Sequence, residues 1–301
     1  MTIQPKGIEP GIYFNLSNEA YHDDPALSHS GMTKVLLSWP DYWISSCLNP
    51  NREPWKQTDA MKFGERSGML LLQPKLFRER FNTHGKSRAD AKGIWLSSIE
   101  YSKLHESVDA IMEVDIAREH FKDGYAEVSI FWRDPGTGIM LRAKIDYLRT
   151  FGAIDFKRIS AVDNYTIGRA VKAQGLDIQN FLYIEAIKAA RRMLKDAGEK
   201  GLEKIAKREG VSLDWLQAFR DDEDLLFRFL FQRSTPPYIW EFRELDQEVL
   251  IEGAHATFSA VKRYAASLER YGLGKPPMGR DTVKTISPFH VPRRDYDYDE
   301  D

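Results

Sequence analysis

A single cysteine, Cys47, stands in a chain of 301 residues. One thiol closes no internal disulfide and cannot assemble an all-cysteine zinc or iron–sulfur site. No apolar run approaches the roughly 20 residues that a bilayer-spanning helix needs. The opening residues, MTIQPKGIEPG, lack the charged-then-apolar order of a secretory signal. Charge of one sign is missing as well: 43 Lys+Arg against 45 Asp+Glu leave a net charge of −2. That balance argues against a protein that coats nucleic acid through bulk positive charge. It leaves room for a nuclease, which gathers carboxylates at a metal and needs only a local basic path. Internal repeats and low-complexity tracts are also absent. What remains is ordinary globular composition, 42% hydrophobic and 29% charged, expected in the cytoplasm and away from any membrane.

The pattern along the chain is helical, then strand-like, then mixed. The first sixty residues are rich in turn formers, with a short helix expected from Met32 to Leu37, stopped at Trp39-Pro40. Residues 59–80 read as a helix broken at Pro74. The polar stretch His84 to Gly93 reads as a loop. Ser97-Ser98-Ile99-Glu100 looks like a capping box ahead of Leu104, Val108, Ile111, Met112 and Ile116 at helical spacing. Strands are expected at Tyr125–Trp132, Ile139–Leu148 and Ala153–Lys157, the first two joined by the turn Asp134-Pro135-Gly136-Thr137-Gly138. A helix follows over Leu176–Ala197. Next come a charged helical segment at 198–224, two late strands around Pro236-Pro237, and a helix over Leu245–Leu273. This order predicts an α/β chain with a mixed central sheet flanked by helices. One domain is expected over 1–294, with 198–224 as a helical insertion and 295–301 as an acidic, disordered tail.

The informative stretch is Glu127 to Lys157. Glu127, Asp146 and Asp155 fall on three successive expected strands, and Lys157 stands two residues after the last. Positions i and i+2 on a strand share a face, so Asp155 and Lys157 point together. A connection symmetric about Thr150 and Phe151 puts Asp146 opposite Asp155 on that face. A three-residue loop would separate them unless a bulge intervened. Hard oxygen donors of this kind suit Mg²⁺ or Mn²⁺, and a lysine beside such a cation can position water or stabilise charge on a phosphate. Taken alone, Asp-x-Lys also fits an exposed strand edge with alternating charges.

Further segments narrow the choice. Tyr21-His22-Asp23-Asp24-Pro25-Ala26-Leu27-Ser28-His29-Ser30-Gly31, then Ser38-Trp39-Pro40-Asp41-Tyr42-Trp43, resemble the N-terminal signature of RecE-type (exonuclease VIII-like) phage recombination nucleases. Ala60 to Gly64 and Leu70 to Pro74, Glu127 to Trp132, Arg142 to Asp146, Ile154 to Lys157, Gln179 with Tyr183, and Pro236-Pro237-Tyr238 follow in the family's order over roughly residues 10–290. The resemblance implies a PD-(D/E)xK restriction-endonuclease-like core. It implies Mg²⁺-dependent 5′→3′ digestion of one strand at double-stranded DNA ends, a homo-oligomeric ring, and a single-strand annealing protein as partner. By carry-over Asp146 and Asp155 bind metal, Lys157 is the catalytic lysine, and Glu127 is a further acidic member of the metal and catalytic set. Gln179 and Tyr183 would contact the DNA end or buttress the site. Where the family carries a metal-binding histidine, this chain has Gly68, with Glu65 three residues earlier on the same helical face.

Gly68 keeps a second reading in view, a DNA-end-binding recombination protein with weak or no turnover; a third keeps the chemistry and changes the substrate, a RecB-like nuclease acting on single strands or flaps. His22 and His29 flank the N-terminal motif; a place near the site is open to them, and a surface or capping role is the reading favoured. Cys47 reads as a small buried side chain. Residues 188–209 hold eight Lys/Arg against four acids and read either as a phosphate track or as a solvated face. Trp39, Trp43, Phe131 and Trp132 read as core.

Overall fold

The computed structural model describes residues 4–54, 56–82 and 93–279. In chain order the elements are β1 (Gly11–Tyr13), α1 (Asn18–Asp23), α2 (His29–Leu37), α3 (Trp39–Ser45), α4 (Asp59–Leu72), α5 (Pro74–Arg80), β2 (Phe81–Asn82), β3 (Ile94–Trp95), α6 (Ser98–Met112) and α7 (Asp115–His120). Then come β4 (Tyr125–Arg133), β5 (Met140–Arg149), β6 (Gly152–Ile159), α8 (Asn164–Gln174), α9 (Leu176–Glu209), α10 (Leu213–Asp221), β7 (Leu226–Arg233), β8 (Trp240–Arg243) and α11 (Gln247–Tyr271). Six strands form one mixed sheet in the order β1-β4-β5-β6-β7-β8, in which only β6 and β7 run parallel. Helices flank it, as the alternation of element types implies. Among the described residues no helix is long and apolar enough to cross a membrane.

Each face of the sheet has its own core. On one side Ala153, Ile159, Phe229 and Phe231 pack beneath α9 and α11 through Leu182, Ala186, Val261 and Tyr264. On the other, Tyr147, Ile154 and Leu230 meet α4 and α6 through Leu70, Leu71, Leu104 and Ile111. The period-2 alternation of β6 decides this split: Ile154 and Phe156 go to one face, Asp155 and Lys157 to the other.

The β5–β6 hairpin closes over Thr150 and Phe151. Its register pairs Arg149 with Gly152, Leu148 with Ala153 and Tyr147 with Ile154, and then the pairing stops. Gly152 adopts φ 158°, and a Cβ there would collide with the Leu226 carbonyl, so glycine lets β7 approach the start of β6. Beyond Asp146 the edge of β5 is taken by the N-terminal segment. Leu27 donates to the Met140 carbonyl at 2.8 Å and accepts from the Arg142 amide at 3.0 Å. Arg142, 8% exposed, holds that segment down: its guanidinium donates to the carbonyls of Tyr21 and Asp24 and lies 4.6 Å from the Tyr21 ring centroid.

The structure corrects the sequence reading at several elements. The helix expected through Ile116 ends at Met112, and a short second helix puts Ile116 at 57% exposure instead of in the core. Helix α8 was not expected, although Asp163 caps it through the Thr166 amide and Gly175 ends it in the left-handed region. Segment 198–224 continues α9 past a kink at Gly198 and then forms α10, with Leu202, Leu216 and Phe219 fully buried in the main core. The expected loop at 84–93 falls outside the described residues apart from Gly93, and the acidic tail 295–301 falls wholly outside them.

Replacing Arg142 by alanine removes charged hydrogen bonds to two carbonyls and leaves both acceptors buried. Denaturant unfolding of Arg142→Ala should show a loss of about 3 kcal/mol. An unchanged midpoint would show that the N-terminal segment is held by its apolar contacts alone.

Candidate functional site

The site forms where β5 and β6 part. The pairs Ala126↔Tyr147 and Val128↔Ile145 place Glu127 level with Asp146, and Tyr147↔Ile154 places Asp146 level with Asp155. The three carboxylates thus lie in one row across β4, β5 and β6, and the symmetric connection is the one adopted. Where the main-chain pairing fails, side chains replace it: Asp146 Oδ2 accepts from the Phe156 amide at 2.9 Å.

Asp155 is 1% exposed. Its Oδ1 accepts from the Gln179 side-chain amide at 2.5 Å, and its Oδ2 lies 2.5 Å from the Lys157 ammonium. That contact is a short, charge-assisted ion pair, so both carboxylate oxygens have a partner in the buried site. Gln179 is itself 4% exposed, which makes it a buttress beneath the carboxylate and keeps it away from solvent. Tyr183, one turn further along α9, is buried beside it. Burial, then Tyr21, Asp155 and Asp146, raise the Tyr183 hydroxyl well above its ordinary pKa, against a hydrogen bond from Gln179 that lowers it.

Electrostatics separates the two aspartates. Burial and the neighbouring Asp155 charge push the Asp146 carboxyl well above the usual range, more than Lys157 and the Phe156 amide pull it down. Burial also raises Asp155, but Lys157 and Gln179 work against it. Both carboxyls are thus held above their ordinary range by burial, Asp146 with the added repulsion of Asp155 and Glu127. Burial pulls the Lys157 ammonium down, yet Asp155 and Asp146 outweigh it and hold the group above its ordinary value, so Lys157 keeps its charge.

Glu127 is set apart from this trio. It adopts φ 57°, a conformation that L residues rarely take within a strand and that costs about 1–3 kcal/mol. Its carboxylate pairs with Lys144 at 3.2 Å, and Lys144 also donates to Asn18. Both line a cavity of about 540 Å³ that continues from Asp146 to Glu65 and Gly68 on α4 and to Phe14–Asn18. Glu65 accepts from Gln57 at 2.7 Å. A Cβ at Gly68 would meet only the Phe156 ring at 3.8 Å, so this wall offers space and no ligand.

Two residues at the site were given no role there by the sequence. Lys144 carries the Glu127 contact, and its signal was the Lys-x-Asp spacing on β5, the mirror of Asp-x-Lys on β6. His29 was read as a surface or capping residue. It bonds the Gly175 carbonyl at 2.9 Å, and burial together with the Lys157 charge lowers its pKa to about 4, so it is neutral. His22 lines a separate cavity with Cys47 and Arg52.

Among the described residues, no three His, Cys, Asp or Glu side chains converge into a ready-made metal cage. The donor set nonetheless suits a hard cation, because Mg²⁺ keeps several waters and takes one or two carboxylates beside a substrate phosphate. Asp146 and Asp155 provide two such carboxylates, both buried and both raised above the usual carboxylate range by burial.

The raised Asp146 pKa has a definite sign in stability. A carboxyl whose folded pKa lies above its unfolded value favours the folded state at low pH and loses that contribution as pH rises through the folded pKa. In metal-free buffer Asp146→Asn should therefore unfold at a higher temperature than the parent at neutral pH. That advantage should shrink steadily on acidification. A gain independent of pH would contradict the burial and repulsion argument.

No known family's sequence profile matches the chain, and no curated protein matches it. Among solved structures it is similar to the crystal structure of a Eubacterium rectale protein named "Putative exonuclease", with a TM-score of 0.55 and 14% identity, covering 91% of this chain and 96% of that one. At that identity the likeness is one of fold: the chain is a mixed α/β protein built like that nuclease-named neighbour over nearly its whole length.

Proposed function

We propose that this chain is a metal-dependent deoxyribonuclease of the PD-(D/E)xK superfamily, an exonuclease of RecE type. It would degrade one strand of linear duplex DNA, 5′→3′, and leave 3′ single-stranded tails for recombination. The observation that carries this reading is the row Glu127, Asp146 and Asp155 across three strands, with the Lys157 ammonium 2.5 Å from Asp155. The name of the Eubacterium rectale protein of similar fold supports it. A ring of identical subunits around DNA and a single-strand annealing partner belong to the same proposal.

Asp146 and Asp155 would hold the Mg²⁺, or Mn²⁺ in its place, with Glu127 beside them. Such a cation, when bound, lowers the pKa of a coordinated water and offsets charge on the phosphate. The chain's own groups do the remaining work. Lys157 stays an ammonium, so it donates rather than abstracts: it orients the attacking water and balances charge that grows on the phosphate oxygens. Gln179 fixes Asp155 through Oδ1 and leaves Oδ2 facing Lys157. Neutral His29 adds no second charge beside Lys157. Gly68 is the observation behind a second reading, an end-binding protein with little turnover, because the cavity wall there supplies no ligand.

A linear duplex labelled at its 5′ or 3′ end, incubated with the protein and Mg²⁺ or Mn²⁺, separates these readings. Metal-dependent release from the 5′ label should fall by about 10²–10³-fold in Lys157→Ala, the loss typical of one charge-stabilising donor, with duplex binding retained. Binding without release would support the end-binding reading. Release only from single strands or flaps would move the assignment to a RecB-like nuclease. Gly68→His should fold, given the open space at its Cβ, and should tighten Mn²⁺ binding in calorimetric titration by about tenfold or more, as a third protein ligand would. Unchanged affinity would show that the missing side chain is not limiting.

A further inference from the structure

Helix α8 carries an outer face that the site chemistry leaves unused. Its inner face is settled, with Ile167 and Ala170 buried against the main core. Its sequence, NYTIGRAVKAQ, contains no acidic residue. Tyr165, Arg169 and Lys172 recur at i, i+4 and i+7 and so share the outward side. All three are exposed, Tyr165 to 72%, a large aromatic surface left in water without packing. The Arg169 guanidinium lies 5.7 Å from the Tyr165 ring centroid, and neither Arg169 nor Lys172 forms an ion pair with any described residue.

Gly168 stands between them. Glycine weakens a helix interior relative to alanine, and here packing does not require it: a Cβ at this position would meet nothing. The missing side chain leaves bare backbone flanked by a ring and two cations. The C-terminal end of the helix is tied to the site: it closes at Gly175, whose carbonyl bonds His29 at 2.9 Å, and in sequence the helix follows β6, the strand that bears Lys157.

We infer that this face is a DNA-backbone track. Arg169 and Lys172 hold successive phosphates of the strand leading to the carboxylates, the strand lies over Gly168, and Tyr165 stacks on a sugar or base. The inference rests on the nuclease reading and extends it by naming where the substrate strand runs. Local charge on α8 supplies the attraction that the net charge of −2 cannot.

The test uses the full chain, a short fluorescent linear duplex and anisotropy in EDTA across a potassium chloride series. The double variant Arg169→Ala/Lys172→Ala should bind about tenfold more weakly and lower the salt slope by about 1.8, the loss of two phosphate contacts at about 0.9 each. Gly168→Leu should raise the thermal midpoint and yet weaken binding, a pairing that misfolding cannot produce. A control pair, Lys204→Ala/Lys207→Ala on the exposed end of α9, should keep the parent slope. If the α8 variants bind like a parent that binds and cleaves DNA, the track is wrong and the nuclease reading stands. Equal flattening by the control pair would also overturn the track. A parent that binds no duplex at all would overturn both.

Discussion

The rest of the site depends on the failure of β5 and β6 to stay paired beyond Tyr147 and Ile154. In a continuous sheet, Asp146 and Asp155 would sit side by side on a covered face, with no opening between them. The parting gives Asp146 an amide to accept from, Phe156, and opens the β5 edge to Leu27. The same event brings α2 and His29 to Lys157. A strand edge released from its neighbour must find other partners, and here those partners assemble the site.

Buried charge then sets the chemistry. Asp155 is almost wholly withdrawn from water and is stabilised from two sides by Gln179 and Lys157. Asp146 accepts from the Phe156 amide and faces its neighbour's charge, and burial raises both carboxyls. Under the proposed function, a divalent cation would relieve an arrangement so unfavourable to two anions. The strained backbone at Glu127 belongs to the same logic, since it turns a third carboxylate toward Lys144 at the cavity wall.

Much of this was legible in the sequence, for identifiable reasons. Alternation on β4, β5 and β6 is strong, so three carboxylates on successive strands were visible, but the choice between a symmetric connection and a three-residue loop stayed open until the register Arg149↔Gly152 decided it. Gln179 and Tyr183 were singled out by the family resemblance, and helical spacing added only that they share a face. The parting of the strands was not legible, because pairing is a property of two segments and neither β5 nor β6 carries a proline to announce it. Helix α8 was missed because its apolar positions, Ile167, Ala170 and Val171, are few and weak, although its cap and its terminal glycine were both visible. Ile116 was misplaced because helical spacing continues in register past Met112 while the chain turns.

The kink at Gly198 divides the longest helix into two lengths with separate attachments. The first half carries Gln179 and is tied to the hairpin by Arg191, whose guanidinium donates to the Thr150 carbonyl at 2.6 Å. The second half ends in Glu209, which accepts from the Phe14 amide at 2.8 Å and, through its own carbonyl, from Asn15. Phe14 and Asn15 form part of the cavity rim. One helix thus braces both the buried Asp155, through Gln179, and the cavity lining at Phe14 and Asn15, so a change at the Gly198 kink would be felt at both.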